Sequence, residues 1–212
     1  IIRMVRHFWA LEGMPAKRKI IGRTYGYHGS TIMAASMGGM VDMHRQAADQ
    51  PDFEHIRPPY AFLYQGNSNE AEFAAHSASL LEDKIVEVGA ENVAAFIAEP
   101  IQGAGGVIVP HESLMPLLRE ICTRHGILMI SDEVITGFGR TGHWSGARHW
   151  GMQPDMMSTA KGITSGYFPV GAALMSEAVA DVFEKDTKGE AGIFHGYTYS
   201  AHPVGAAAVT AT

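Results

Sequence analysis

Apolar residues recur at helical spacing in IIRMVRHFWALEG, where Ile1, Met4, Val5, Phe8 and Leu11 form one stripe that Gly13 and Pro15 bring to an end. RKIIGRT then reads as a short strand, and TYGYHGSTIMAASMGG as a turn entering a helix with Ser30 or Thr31 at its start. From Met40 to Asn69 the pattern breaks down, with Pro51, Pro58 and Pro59 among aromatics; this predicts a long irregular loop of the kind usually tied to function. Helical spacing returns from Asn69 to Val88 and closes at Gly89. VAAFIAEP is a strand that delivers Glu99 to the glycine turn IQGAGG, and ESLMPLLREICTRHG is an amphipathic helix capped by Gly126. Two more short apolar runs, ILMISDEV and DMMSTAKG, look like buried strands, and ITSGYFPVGAALMS supplies a glycine-rich loop and another. Ser176 is placed to cap the helix EAVADVFEK, and an Ala-rich helix follows HGYTYSAHPVG. Strand and helix alternate, which predicts an α/β fold around a doubly wound, mostly parallel sheet.

The stretch from Ile130 to Lys161 carries the candidate chemistry. One apolar run closes on Asp132 and Glu133, the next on Lys161 and Gly162, and ligands gather at the carboxyl ends of parallel strands. A buried carboxylate is costly without a cationic partner, and a lysine between Ala160 and Gly162 leaves room for a bulky ligand. Pyridoxal 5'-phosphate wants such a pair: an amine to form a Schiff base with its aldehyde, and an acid to keep its ring nitrogen protonated. Lys161 takes the first role and Asp132 the second. Against this stands the plain fact that most lysines are simply solvated, and that an aspartate can merely cap a strand end.

SDEVITGFGRTG followed by TAKG resembles the class III aminotransferases, the omega-aminotransferase group of pyridoxal-phosphate enzymes, and the resemblance extends over essentially all 212 residues. It implies the three-layer α/β large domain of the PLP-dependent transferases, of which residues 1–212 would be a central part, cut at both ends and without the C-terminal small domain. It also implies roles for further residues. Tyr27, followed by His28 and Gly29, would stack on the coenzyme ring, with His28 beside it as part of the coenzyme site. Val134 would pack on the opposite face. Glu99 would act electrostatically beside the ring, and Thr198, next to Tyr197, would bind the coenzyme phosphate of a neighbouring subunit. The implied reaction is transfer of an amino group from an amine or omega-amino acid to a keto acid such as pyruvate, in a homodimer or tetramer with shared sites. An aminomutase or decarboxylase on the same scaffold shares these motifs, and a non-catalytic fragment is the alternative from another class. Three departures refine the resemblance. Ile135 stands where many members carry a ring-binding Gln; Ala104 stands where glutamate-using members carry Glu, which favours pyruvate; Ala201 replaces a more usual Gly.

Composition narrows the field further. Charged residues are only 18% of the chain and hydrophobic ones 46%, which points to a large buried interface or a piece of a larger fold. A net charge of -6 offers no basic stripe for nucleic acid or anionic membranes. No signal or membrane-spanning run is present in these residues, and a lone cysteine, Cys122, fits a reducing compartment, so the cytoplasm is expected. Eleven scattered histidines show no metal-ligand spacing, and no metal site is expected. Gly103 and Gly105 begin a G-x-G-x-x-G pattern that Ile108 breaks, arguing against an NAD-binding oxidoreductase. Glycine, at 24 residues, clusters near the candidate site; turns and close approach of backbone to a ligand both account for that.

Overall fold

The structure is a computed structural model that describes residues 1–48, 50–57, 69–186 and 188–212. Pro58, Pro59 and most of the second half of the predicted 40–69 loop lie outside the described residues. Helix α1 (Ile2–Leu11) buries Ile2, Val5, Phe8 and Trp9. Trp9, rather than Leu11, completes the stripe, because its indole N–H donates to Ala94 O at 2.8 Å. Strand β1 (Lys19–Arg23) leads to α2 (Ile32–Met37), whose cap is Thr31, its hydroxyl accepting the Ala34 N–H at 3.3 Å. The helical turn α3 (Val41–Met43) and a π turn (His44–Ala48) then precede β2 (Phe53–Ile56). This strand is a departure from the irregular loop expected between Met40 and Asn69. Helix α4 (Glu70–Val88) has its expected ends: the Asn69 side chain accepts the Glu72 N–H at 3.1 Å, and Gly89 follows at φ 82°. The remaining elements are β3 (Val93–Ala98), α5 (Leu114–Arg124), β4 (Leu128–Asp132), α6 (Gly146–His149), β5 (Met156–Thr159), β6 (Ala172–Met175), α7 (Glu177–Glu184) and α8 (Pro203–Ala211).

The strands form one sheet in the order β2-β1-β3-β4-β5-β6, parallel throughout except for β6, which runs antiparallel to β5. The chain builds outward from β1 to β2 on one side and to β3 on the other. That reversal creates a crevice at the carboxyl ends of the strands. Both sheet faces are covered. Ile21, Phe96 and Met129 pack with Leu81, Ile85 and Leu118 beneath α4 and α5, while Ile20, Ile97, Leu128 and Ile130 pack with Val5, Phe8 and Val179 beneath α1 and α7. Three layers result, and burial on both faces explains why VAAFIA reads as an unbroken apolar run: every β3 residue is buried. Each large aliphatic or aromatic side chain enclosed this way contributes about 1.5–3 kcal/mol.

Two of the clustered glycines serve the fold rather than a ligand. A Cβ at Gly22 would lie 2.4 Å from Met37 O, and one at Gly39 only 2.3 Å from Arg23 O. Their absence lets the segment after α2 lie directly on β1.

Candidate active site

Strand ends set the site. Tyr27 and His28 follow β1, Glu99 follows β3, Asp132 ends β4, and Lys161 follows β5; all five line one cavity of about 140 Å³, together with Gly29, Val134 and Ile135. A cavity of about 150 Å³ holds one benzene ring, so this one is sized for a single six-membered aromatic ring. Asp132 and Lys161, expected to serve one ligand, thus share one hollow on one side of the sheet.

Asp132 is held from several sides. His28 donates from Nδ1 to its Oδ2 at 2.7 Å, with side chains only 2% and 5% exposed, and the Val134 N–H donates to Oδ1 at 3.1 Å. The bond to a carboxylate fixes the proton of His28 on Nδ1. Glu99 is equally engaged: its Oε1 accepts the Tyr27 N–H at 3.0 Å, its Oε2 the Gly103 N–H at 2.8 Å, and its backbone carbonyl accepts from the buried Arg23 guanidinium. Its carboxylate therefore ties the segment carrying Tyr27 to the glycine turn, and it still borders the cavity.

Lys161 sits at φ 49°, a left-handed backbone that a side-chain-bearing residue adopts only under constraint. The same holds for Tyr25 (64°) after β1, Val107 (54°) after β3 and Phe138 (58°) after β4. Each such residue costs about 1–3 kcal/mol, and strain of this kind gathers at functional sites. Among the described residues no carboxylate lies within ion-pair distance of the Lys161 amine.

The residues fit a pyridine ring. They offer an enclosed, hydrogen-bonded carboxylate for its nitrogen, an exposed amine for its aldehyde, and a flat aromatic with an aliphatic side chain for its faces. Thr198 is not brought to this cavity; it lies in an exposed turn before α8. Ile135, in place of a polar donor, borders the cavity and packs so close to Gly103 that a Cβ there would lie 2.2 Å from Ile135 Cδ1.

One residue has a larger part than its sequence position suggests. Glu133 is fully buried, and its carboxylate accepts from Ser131 Oγ (2.8 Å), the Thr136 hydroxyl, Gly146 N–H (2.7 Å) and Ala147 N–H (2.7 Å). The local hints were Ser131 two residues earlier and Thr136 three residues later; the amide donors come from far along the chain.

The family model of the class III aminotransferases matches residues 1–212. The putrescine–pyruvate aminotransferase of Pseudomonas aeruginosa is 51% identical over 208 residues, which cover 98% of this chain and 45% of that enzyme. An omega-amino acid–pyruvate aminotransferase of Pseudomonas putida is 41% identical, over 98% of this chain and 47% of its own length. Among solved structures, a PLP-bound amine transaminase from an uncultivated Pseudomonas species superposes with a TM-score of 0.93 at 41% identity, covering 99% of this chain and 48% of that one. A thermostable omega-transaminase from Thermomicrobium roseum gives 0.90 at 40% identity, over 99% and 46%. The chain spans about half the length of the relatives it matches. With its three-layer fold matched at that identity and its whole length covered by the family model, the chain belongs to the class III aminotransferases.

Proposed function

We propose that the full-length protein is a pyridoxal-phosphate-dependent transaminase that moves an amino group from an amine or omega-amino acid to a keto acid, with pyruvate as acceptor. The observation that carries this reading is the convergence of Asp132 and Lys161 on a ring-sized cavity that Tyr27 and Val134 also line. Bound there, the coenzyme supplies a carbonyl that captures amines and a protonated ring that accepts electron density from the substrate carbon. Asp132 keeps the proton on the ring nitrogen through a charge-assisted hydrogen bond, while His28 and the Val134 N–H occupy its remaining acceptor positions and aim it. Tyr27 and Val134 hold the ring plane, and Glu99 fixes the backbone of Tyr27. Lys161 would anchor the coenzyme through its amine, and that amine, once free, would carry the proton from the substrate carbon to the coenzyme, help that contributes about 10²- to 10⁴-fold in rate.

Ala104, where a glutamate-using relative would carry Glu, supports pyruvate as acceptor, and two of the relatives are named for pyruvate. Thr198 is assigned to the phosphate bound by a second copy, which makes the working unit a homodimer or a tetramer with sites shared between subunits. The single cysteine is consistent with a cytoplasmic enzyme: Cys122 is buried, and burial pushes its thiol up to about 12, so it stays protonated and inert.

The test is an absorbance titration of the full-length protein with pyridoxal phosphate, before and after borohydride reduction, with Lys161→Ala beside wild type. A visible band in wild type, fixed to Lys161 by reduction and lost in the variant, is expected. A donor screen with pyruvate then reads alanine formation. A folded wild type without a specific band would sink the reading.

A further inference from the structure

Glu133 lies on the sheet face opposite Asp132, so its carboxylate cannot reach the cavity directly. What its four donors hold is the loop between β4 and α6. That loop touches the segments that follow β3 and β5, which carry Glu99 and Lys161. Gly146, held by Glu133, packs against Pro100 so closely that a Cβ would lie 2.7 Å from the proline ring, and Pro100 directly follows Glu99. Gly137, whose N–H donates to Glu133 O at 2.9 Å, and Phe138 together close on Gly162: a Cβ there would lie 3.3 Å from Phe138 Cβ and 3.4 Å from Gly137 O. Phe138 is itself held in a left-handed conformation, its N–H donating to Trp144 O at 2.9 Å. Gly162 is the neighbour of Lys161.

From this we infer that Glu133 is a positioning residue: by locking residues 134–147 onto the end of β4, it presses Gly137 and Phe138 against Gly162 and so holds the strained Lys161 turn in register with Asp132. The inference deepens the coenzyme reading, on which its functional consequence rests. A carboxylate is suited to the task because it accepts from all four donors at once. Glutamine cannot, since its amide nitrogen would confront N–H or O–H donors instead of accepting from them. A buried donor left without an acceptor is costly, and that cost releases the loop without unfolding the sheet.

The experiment compares full-length wild type with Glu133→Gln, Thr136→Val and Thr136→Ser. Amide hydrogen exchange of the coenzyme-free proteins is read by segment, and pyridoxal phosphate dissociation constants are read by absorbance well below each melting temperature. Glu133→Gln and Thr136→Val are expected to speed exchange in residues 134–147 and also in residues 160–166, leaving α4 and β1 unchanged. They should weaken coenzyme binding about tenfold and about threefold respectively, the scale of one or two lost charge-assisted hydrogen bonds. Thr136→Ser keeps the hydroxyl and should behave as wild type. If exchange in residues 160–166 stays at the wild-type rate while residues 134–147 open, the coupling to Lys161 is refuted. If both segments open yet the dissociation constant holds, Glu133 is structural only, and the inference is overturned. A wild type that binds no coenzyme sinks the coenzyme reading and, with it, the positioning role at that site; intact exchange coupling would show that Glu133 still sets the turn.

Discussion

Gly103 makes room for Ile135, and the shape of the cavity depends on that trade. A methyl at position 103 would meet Ile135 Cδ1 at 2.2 Å but would stand 3.4 and 3.6 Å from Cγ1 and Cγ2, so a single terminal carbon is the obstacle. Gly103→Ala should therefore leave the backbone in place and turn Ile135 off its rotamer, at a cost of about 0.5–1.5 kcal/mol, into a hollow of about 140 Å³ that it already borders. The expected outcome is coenzyme affinity lower by roughly threefold to tenfold with a small change in melting temperature. Ile135→Val removes the offending carbon, so the double variant should bind nearly as wild type does. Additive losses in that double-mutant cycle would show that position 103 acts by some other route. Residues of this kind mark the limit of what the chain alone discloses. Asp132 and Lys161 were legible because each sits at the end of an apolar run, a local signal. The role of Glu133 was not, because two of its four donors, Gly146 and Ala147, lie more than a dozen residues away. Ala201 had no reading in the sequence; its φ of 55° accounts for the Gly more usual there, since that conformation strains any residue with a Cβ.

Among the elements, the long helices and central strands were legible and the β2 edge was not. α4 carries its own boundaries in Asn69 and Gly89, and β3 announces itself by six consecutive small or apolar residues, whereas β2 is four residues long and reads FEHI, apolar and buried only at its two ends, amid prolines. Its strand conformation comes from pairing with β1, which no local pattern reports. That edge carries a pH dependence. His55 on β2 bonds through Nε2 to Ser36 O at 3.0 Å, and its ring stands 5.0 Å from that of His44, whose Nε2 bonds Gly38 O at 2.6 Å. Burial first, and the neighbouring His44 second, hold the His55 pKa below its ordinary 6.5. As pH falls below 6.5 the unfolded chain takes up the proton before the folded one does, so stability drops across that window and levels off once folded His55 also protonates. His55→Gln, which can keep a donor toward Ser36 O, should flatten the decline of melting temperature as pH falls below about 6.5. An unchanged acid slope in the variant would place the titration elsewhere.

On the scale of the whole molecule, the cavity at Lys161 is complete for a ring and incomplete for a phosphate. Thr198, the residue assigned to that phosphate, stands on an exposed face with Tyr197 and Tyr199 at 67% and 79% exposure, beside an apolar hollow of about 890 Å³ lined in part by Phe168, Val170 and Val209. Large exposed aromatics gathered in this way mark a surface made to be covered, and the proposed two-fold dimer would place the same face of each copy over the other. Thr198 would then serve a site whose lysine belongs to the partner. This arrangement separates the two residues genetically. Lys161→Ala and Thr198→Ala full-length proteins each carry two damaged sites per dimer. In a mixed dimer formed across subunits, one site collects both lesions and the other has neither. Random reassociation of equal amounts makes about half of the dimers mixed, so about a quarter of all sites should regain tight coenzyme binding and transamination. If Thr198 instead served the lysine of its own chain, every site in the mixture would keep a lesion, and dissociating and reassociating the two proteins would restore nothing. Coenzyme fixed by borohydride, measured before and after mixing, distinguishes the two results without depending on the identity of the donor amine.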